Sequence, residues 1–245
     1  MLAYSLMKLM SRIACVQPTC FNDALAYALG QIGWLATPKW RRYMAKENVK
    51  ECLGVSETEA ERIAKESVTR FGRMLIEVLR YPLINQANFR NLVHFEGLEH
   101  LEEAYAEGRG VIMCTAHYGN WEMLGASMAL LGYPILSITR KQNDGDADRF
   151  INEYRQMVGQ HVTYNHGKSS MLSIGRYLKD KHLVGILYDQ DSAHTGEHLE
   201  LFGKPARVPD GAAQLARVFK APIVPLFMHN QPDGTLTAVI HPCFH

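Results

Sequence analysis

The sequence predicts an α/β fold: a mostly parallel central sheet flanked by helices, preceded by a helical N-terminal region. Three observations point there. From about residue 97 onward, short apolar runs alternate with stretches of helical periodicity, the pattern of successive βα units. Two of those runs, 111–116 and 183–188, are apolar almost throughout, as expected of strands covered on both faces. Residues 1–95 instead carry apolar residues at helical spacing. The expected organisation is a helical region over 1–95 with a membrane-surface anchor, then an α/β domain over 96–245.

In the first region the clearest helix is 56–81. Ser56-Glu57-Thr58-Glu59 has the form of a capping box, in which a hydroxyl and a carboxylate reciprocally satisfy the first free amides. Ala60, Ile63, Ala64, Phe71, Leu75 and Val78 follow at helical spacing, and Pro82 ends the run. Leu98, Leu101 and Tyr105 then mark a short helix stopped at Gly108. Strands are expected at 111–116, 135–138, 161–164, 183–188, 222–228 and 235–241. Helices are expected at 121–131, 147–158 and 170–180, with a last one capped by Asp210 and running to Lys220. In such sheets ligands bind beyond the carboxyl ends of the strands. His117 and Asp189 each follow an apolar run at that edge.

Composition narrows the function classes. The chain has 245 residues, is 47% hydrophobic and 21% charged, and carries a formal net charge of +1, so nothing global suggests nucleic acid. The five cysteines include no C-x2-C pair, against both a disulfide framework and a zinc ribbon. No segment reaches the roughly 20 apolar residues of a spanning helix. No signal peptide is expected, because Arg12 interrupts the apolar residues before Cys15. One local bias stands out. Lys39, Arg41, Arg42, Lys46 and Lys50 face Glu47 alone between 39 and 50, interleaved with Trp40, Tyr43 and Met44. That is the composition of a membrane-surface patch, and also of an ordinary solvated helix face.

The chemistry concentrates in Gly110-Val-Ile-Met-Cys-Thr-Ala-His117-Tyr-Gly-Asn-Trp-Glu122. A strand runs into a histidine, a tight turn follows, and a glutamate opens a helix. A positioned histidine can take the proton of a hydroxyl as it attacks a carbonyl, and a carboxylate on its other nitrogen fixes the tautomer. Within one helix this spacing would put His117 and Glu122 on different faces. A strand-end histidine and a first-turn glutamate can instead converge across the turn. Asn120 is placed to cap the helix, and Gly119 to allow the turn. H-x4-E alone matches many sequences by chance.

Ala116-His117-Tyr118-Gly119-Asn120-Trp121-Glu122 resembles the H-x-G-N-W-E segment of the bacterial lipid A biosynthesis acyltransferases, the lauroyl and myristoyl transferases of the lysophospholipid acyltransferase superfamily. The likeness continues in order through Ile138-Thr139-Arg140 with Asn143, Arg155 with Gly159, Tyr188-Asp189-Gln190-Asp191, Phe202-Gly203-Lys204-Pro205-Ala206, and Ala221-Pro222 to Pro225. It implies a glycerolipid acyltransferase-like fold. It also implies transfer of a fatty acyl chain from acyl carrier protein, or from acyl-CoA, to a hydroxyl of a lipid A precursor. The place implied is the cytoplasmic face of the inner membrane of a Gram-negative bacterium. No metal and no cofactor are implied beyond the acyl carrier protein thioester as co-substrate. By the same resemblance His117 is the general base and Glu122 its partner. Asn120, Arg140, Arg155, Asp189 and Asp191 are implied around the substrate. The arginines would contact phosphate or the developing oxyanion, and Asp189 would hold one of them. Two departures are visible. Leu201-Phe202 stands where the family often has two phenylalanines, and family members usually continue well past the position of His245.

Rival readings are weaker. His194-Thr-Gly-Glu197-His198 has the H-x-x-E-H form of a zinc protease, but Thr195-Gly196 is a poor helix centre. Cys114 lies three residues before His117 and should face the other side of the strand. The remaining alternatives are acylation of another glycolipid or a glycerophospholipid, and an inactive, membrane-peripheral lipid-binding protein.

Overall fold

A computed structural model of the chain describes residues 2–165, 168–190 and 196–245. Their contacts divide into two compact units. One comprises Met1–Lys8, Tyr81–Glu197 and Arg207–His245, the other Leu9–Arg80 and His198–Ala206.

The first unit is built on a seven-stranded sheet. Its strands are β1 (Val93–Glu96), β2 (Val111–Thr115), β3 (Ile135–Thr139), β4 (Gln160–Tyr164), β5 (Leu183–Leu187), β8 (Ile223–Asn230) and β9 (Leu236–Ile240), in the order β1-β9-β8-β2-β5-β3-β4. The five strands β8-β2-β5-β3-β4 run parallel, β9 runs antiparallel to β8, and β1 pairs parallel with β9. Every residue of β2 is buried, as its unbroken apolar run predicts. One face of the sheet carries a core of Ile112, Cys114, Leu136 and Val184, closed by Ile174 and Leu178 of α8 (Lys168–Lys179) and Leu215 of α9 (Gly211–Phe219). The expected short helix before Gly108 is α5 (Leu98–Ala106), and the other face of the sheet lies under α6 (Trp121–Leu130). There Gly125 approaches the Gln160 side chain so closely that a Cβ would collide with it. α6 is buried almost all round, from Glu122 to Met128 without a break.

The β2–β5 register fixes the site. Val111 pairs with Leu183 and Thr115 with Leu187, so the two strands end level. His117 and Asp189 each lie two residues beyond those ends.

The second unit is helical: the remainder of α1 (Leu2–Val16), then α2 (Thr19–Ala36), α3 (Lys39–Leu53) and α4 (Glu57–Leu79). α2 and α3 both pack on α4. Gly30 and Gly72 let the α2 and α4 backbones touch: a Cβ on Gly72 would stand 2.6 Å from the Ala26 carbonyl oxygen. The start of α4 realises half of the capping box. Ser56 Oγ accepts from the Glu59 amide at 3.2 Å, but the Glu59 carboxylate turns to Arg62 instead of returning to Ser56.

Several expectations are corrected. The helical region gives way at Tyr81, not at 95, because Val93–Glu96 is the edge strand of the sheet. Four residues with alternating exposure are too short a signal to separate from helix ends. Asp210 occupies the N-cap position of α9, but its side chain caps no amide and accepts from Gln214 Nε2 at 2.5 Å. A separate two-stranded sheet, β6 (Glu197–Leu201) and β7 (Lys204–Val208), was not expected. It puts Glu197 and His198 on an extended segment, where no helix can set out a zinc-protease face; His194 lies outside the described residues.

Candidate active site

His117 sits at the carboxyl edge of the parallel sheet, with its side chain about one-third exposed (35%). Asp189 reaches it from the end of β5 through two bonds. The His117 amide donates to Asp189 Oδ2 at 2.8 Å, and His117 Nδ1 stands 2.8 Å from Asp189 Oδ1. An ionised carboxylate only accepts, so Nδ1 carries the proton and Nε2 is left with its lone pair. Burial pushes the Asp189 carboxyl up, but the bonds from the His117 ring and amide outweigh it and hold the group below its ordinary value. Ionised Asp189 therefore adds stability above the unfolded aspartate value of about 3.9, and that contribution is lost as the pH falls through the lower folded value. The Trp121 ring meets the imidazole edge-on, with centroids 5.0 Å apart, and closes one side of it.

The turn after His117 is tightly determined. Gly119 has φ +58°, and a Cβ there would land on the Met228 carbonyl oxygen. Asn120 is buried and caps α6, its Oδ1 accepting from the Met123 amide at 2.8 Å, as expected from sequence. Its side chain is thus engaged in starting the helix. Tyr118 turns outward, with its hydroxyl 3.2 Å from His229 Nδ1 on β8. Gly119→Ala is expected to cost at least about 1–3 kcal/mol from the left-handed backbone alone, and to displace His117. Thermal denaturation and an acyl-transfer assay check this; a variant that melts and turns over like the wild type would contradict it.

Glu122 is not on His117, and the expected pairing is corrected. The first turn of α6 aims Glu122 at α7 (Gly145–Met157), where Arg155 binds it bidentately. Nε donates to Oε2 at 2.8 Å and Nη2 to Oε1 at 2.5 Å, with the side chains 7% and 11% exposed. Burial pulls the Arg155 guanidinium down and the Glu122 carboxylate pulls it up; the carboxylate wins. Arg155 Nη1 also donates to Asn152 Oδ1 at 3.3 Å. Asn152 in turn reaches Asp148, which accepts from Tyr164 at 2.6 Å and from the Gln142 amide at 2.8 Å. Burial raises the Asp148 carboxyl, but these bonds outweigh it and leave the group lowered. The arrangement ties α6 to α7, and it engages Arg155, expected around the substrate, with the Glu122 carboxylate.

Arg140 follows β3 at the same sheet edge and is exposed. Its guanidinium makes no hydrogen bond or ion pair among the described residues. Asp189, expected to hold an arginine, holds His117. Asp191 lies outside the described residues. Cys114 is core: burial pushes its thiol up to about 12, which removes it as a nucleophile. Sequence reasoning missed the His117–Asp189 bond and the Trp121 ring on His117. The one signal for the first was the shared position of two polar residues just past apolar strands.

The site can take a proton on Nε2 and steady the resulting imidazolium with Asp189, the arrangement that activates a hydroxyl for acyl transfer. Comparison with known proteins bears on the reaction class. The sequence profile of the bacterial lipid A biosynthesis acyltransferases matches residues 9–245. A phosphatidylinositol mannoside acyltransferase of Mycobacterium tuberculosis is 27% identical over 223 residues, covering 82% of this chain and 70% of the relative. A lipid A biosynthesis acyltransferase of Haemophilus influenzae is 24% identical over 234 residues, covering 93% and 72%. The lipid A biosynthesis palmitoleoyltransferase of Escherichia coli is 25% identical over 208 residues, covering 83% and 67%. The chain belongs to the bacterial lipid A biosynthesis acyltransferase family and is an acyltransferase.

Proposed function

We propose that the protein transfers a fatty acyl chain from a thioester, carried by acyl carrier protein or coenzyme A, to a hydroxyl of a lipid A precursor at a membrane surface, the cytoplasmic face of the inner membrane. The observation that carries the reading is the His117 ring held by Asp189 with Nε2 left to accept a proton. Nε2 takes the acceptor hydroxyl proton as that oxygen attacks the thioester carbonyl. Asp189 offsets the charge on the imidazolium. When the tetrahedral intermediate collapses, the C–S bond breaks and the imidazolium returns the proton to the departing thiolate. The products are an ester and a free thiol, and no oxidant, metal or further co-substrate is called for. Arg140, at the same edge and without a side-chain partner among the described residues, suits a phosphate of the acceptor or the developing oxyanion.

The mycobacterial relatives favour a second acceptor, a phosphatidylinositol mannoside. The test is to incubate the protein with labelled acyl thioesters and a panel holding both acceptors and simple glycerophospholipids, with products identified by mass. The proposal expects an acyl ester on the lipid A precursor. An ester on the mannoside alone selects the second acceptor, and no ester on any glycolipid overturns both readings.

A further inference from the structure

α2 is composed inside out for a helix in water. The residues it buries against the unit are Asn22, Ala26, Gly30 and Trp34, three of them small or polar. The residues it turns outward include Tyr27 (61% exposed), Ile32 (61%) and Leu35 (72%). Its 18 residues hold one charge, Asp23. Soluble proteins rarely leave so continuous an apolar face uncovered. Packing through small residues with large apolar side chains outward is instead the pattern of helices in lipid. No described helix is long and apolar enough to cross a membrane, so α2 is suited to lie in the interface.

Two residues separate α3 from the end of α2, and its first turns carry the complementary chemistry. Trp40 (61% exposed), Tyr43 (62%) and Met44 (49%) point outward, and no residue of α3 is buried. Lys39, Arg41 and Arg42 have no carboxylate partner among the described residues; Lys46 is paired with Glu57 at 2.6 Å. Three cations in the first turn also oppose the helix dipole, and the contacts recorded for Arg41 and Arg42 are with aromatic rings, Arg41 over Trp40 at 5.0 Å and Arg42 over Trp34 at 5.6 Å. Lys39, Arg42 and Lys46 line a shallow cleft of about 260 Å³ with Trp34, Tyr43 and Glu61. Aromatic rings beside cations that have no carboxylate partner among the described residues, next to an apolar helix face, match the acyl–headgroup boundary of an anionic bilayer.

We infer that the outward face of α2 and the N-terminal half of α3 form one docking surface for an anionic phospholipid bilayer. Ile32 and Leu35 enter the acyl boundary, Trp40 and Tyr43 sit at headgroup level, and Lys39, Arg41 and Arg42 meet the phosphates. The inference rests on the reading that this enzyme acts at a lipid surface, and it names the surface that brings it there.

The test is co-sedimentation of the full chain with phosphatidylcholine vesicles, with and without phosphatidylglycerol. The wild type is expected to bind the anionic vesicles more tightly and to lose binding as salt rises. Arg41→Gln with Arg42→Gln should weaken that binding about thirtyfold, at roughly fivefold per cation. Ile32→Asn with Leu35→Asn should weaken it at least about tenfold. Both double variants should keep wild-type transfer to a detergent-dispersed acceptor, which shows they are folded and keeps docking separate from catalysis. A wild type that ignores anionic vesicles, or variants that bind them equally well, would overturn the inference. So would a concentration-dependent dimer that the Ile32/Leu35 variant abolishes while vesicle binding persists, since a second copy would then cover the face. The proposed function fails separately, if the wild type shows no transfer in detergent.

Discussion

His117→Ala is expected to lower kcat by on the order of 10²–10⁴-fold, the range a positioned general acid–base contributes, with little change in thermal stability. The imidazole is about one-third exposed; truncation removes its bond to Asp189 and its Trp121 edge contact, while the His117 amide still donates to Asp189. Asp189→Asn should cost a comparable factor for a different reason. The asparagine oxygen can still accept from the His117 amide, so the loop keeps its shape. Its NH₂ group would donate to Nδ1 and move the ring proton to Nε2, the nitrogen that must receive a proton from the acceptor hydroxyl. The tautomer would be wrong and the imidazolium would lose its counter-charge. Steady-state kinetics with the acceptor identified by the panel check both; wild-type kcat in either variant would contradict the mechanism.

Glu122→Ala should fail in another way. The substitution leaves the Arg155 guanidinium buried without its carboxylate, and breaking a buried pair from one side costs about 3–5 kcal/mol. In a chain of this size that lowers Tm by on the order of 10 °C. Activity should fall because the α6–α7 tie is lost. The double variant Glu122→Leu with Arg155→Met removes both charges and should recover most of the stability, since well-packed apolar replacements of buried pairs are often neutral. It should also recover kcat, because neither residue touches the His117 ring. A double variant as stable as the wild type yet still without activity would give Glu122 or Arg155 a direct part in the chemistry. Thermal denaturation beside kcat for the three proteins decides between these.

The contrast between these two carboxylates shows what the sequence made legible. The strand ending in His117, the Asn120 cap and the alternation that builds the parallel sheet were all local, and all could be read from spacing. The polar positions just past β2 and β5 were legible too, as residues at one sheet edge. Which of them meets which was not. The His117–Asp189 bond joins residues 72 apart, and it exists because β2 and β5 are neighbours paired so that their ends fall level. Neither strand order nor register is written in either segment alone. Glu122 looked like the partner because it was five residues away. Its side chain instead follows the first turn of α6 toward α7, where Arg155, 33 residues on, binds it. The short β1 and the β6–β7 pair were missed for a simpler reason. Strands of four or five residues, exposed or half-exposed, carry almost no periodic signal.

The central claim is that Asp189 acts on the reaction through His117. A double-mutant cycle on kcat tests it most directly, using wild type, His117→Ala, Asp189→Asn and the pair, each verified as folded by thermal denaturation. Groups that work as a unit lose their effect together. The expected result is that the pair turns over no more slowly than His117→Ala alone. A pair whose loss is the product of the two single losses would contradict the claim, because Asp189 would then act on the reaction by a route that does not pass through the His117 ring.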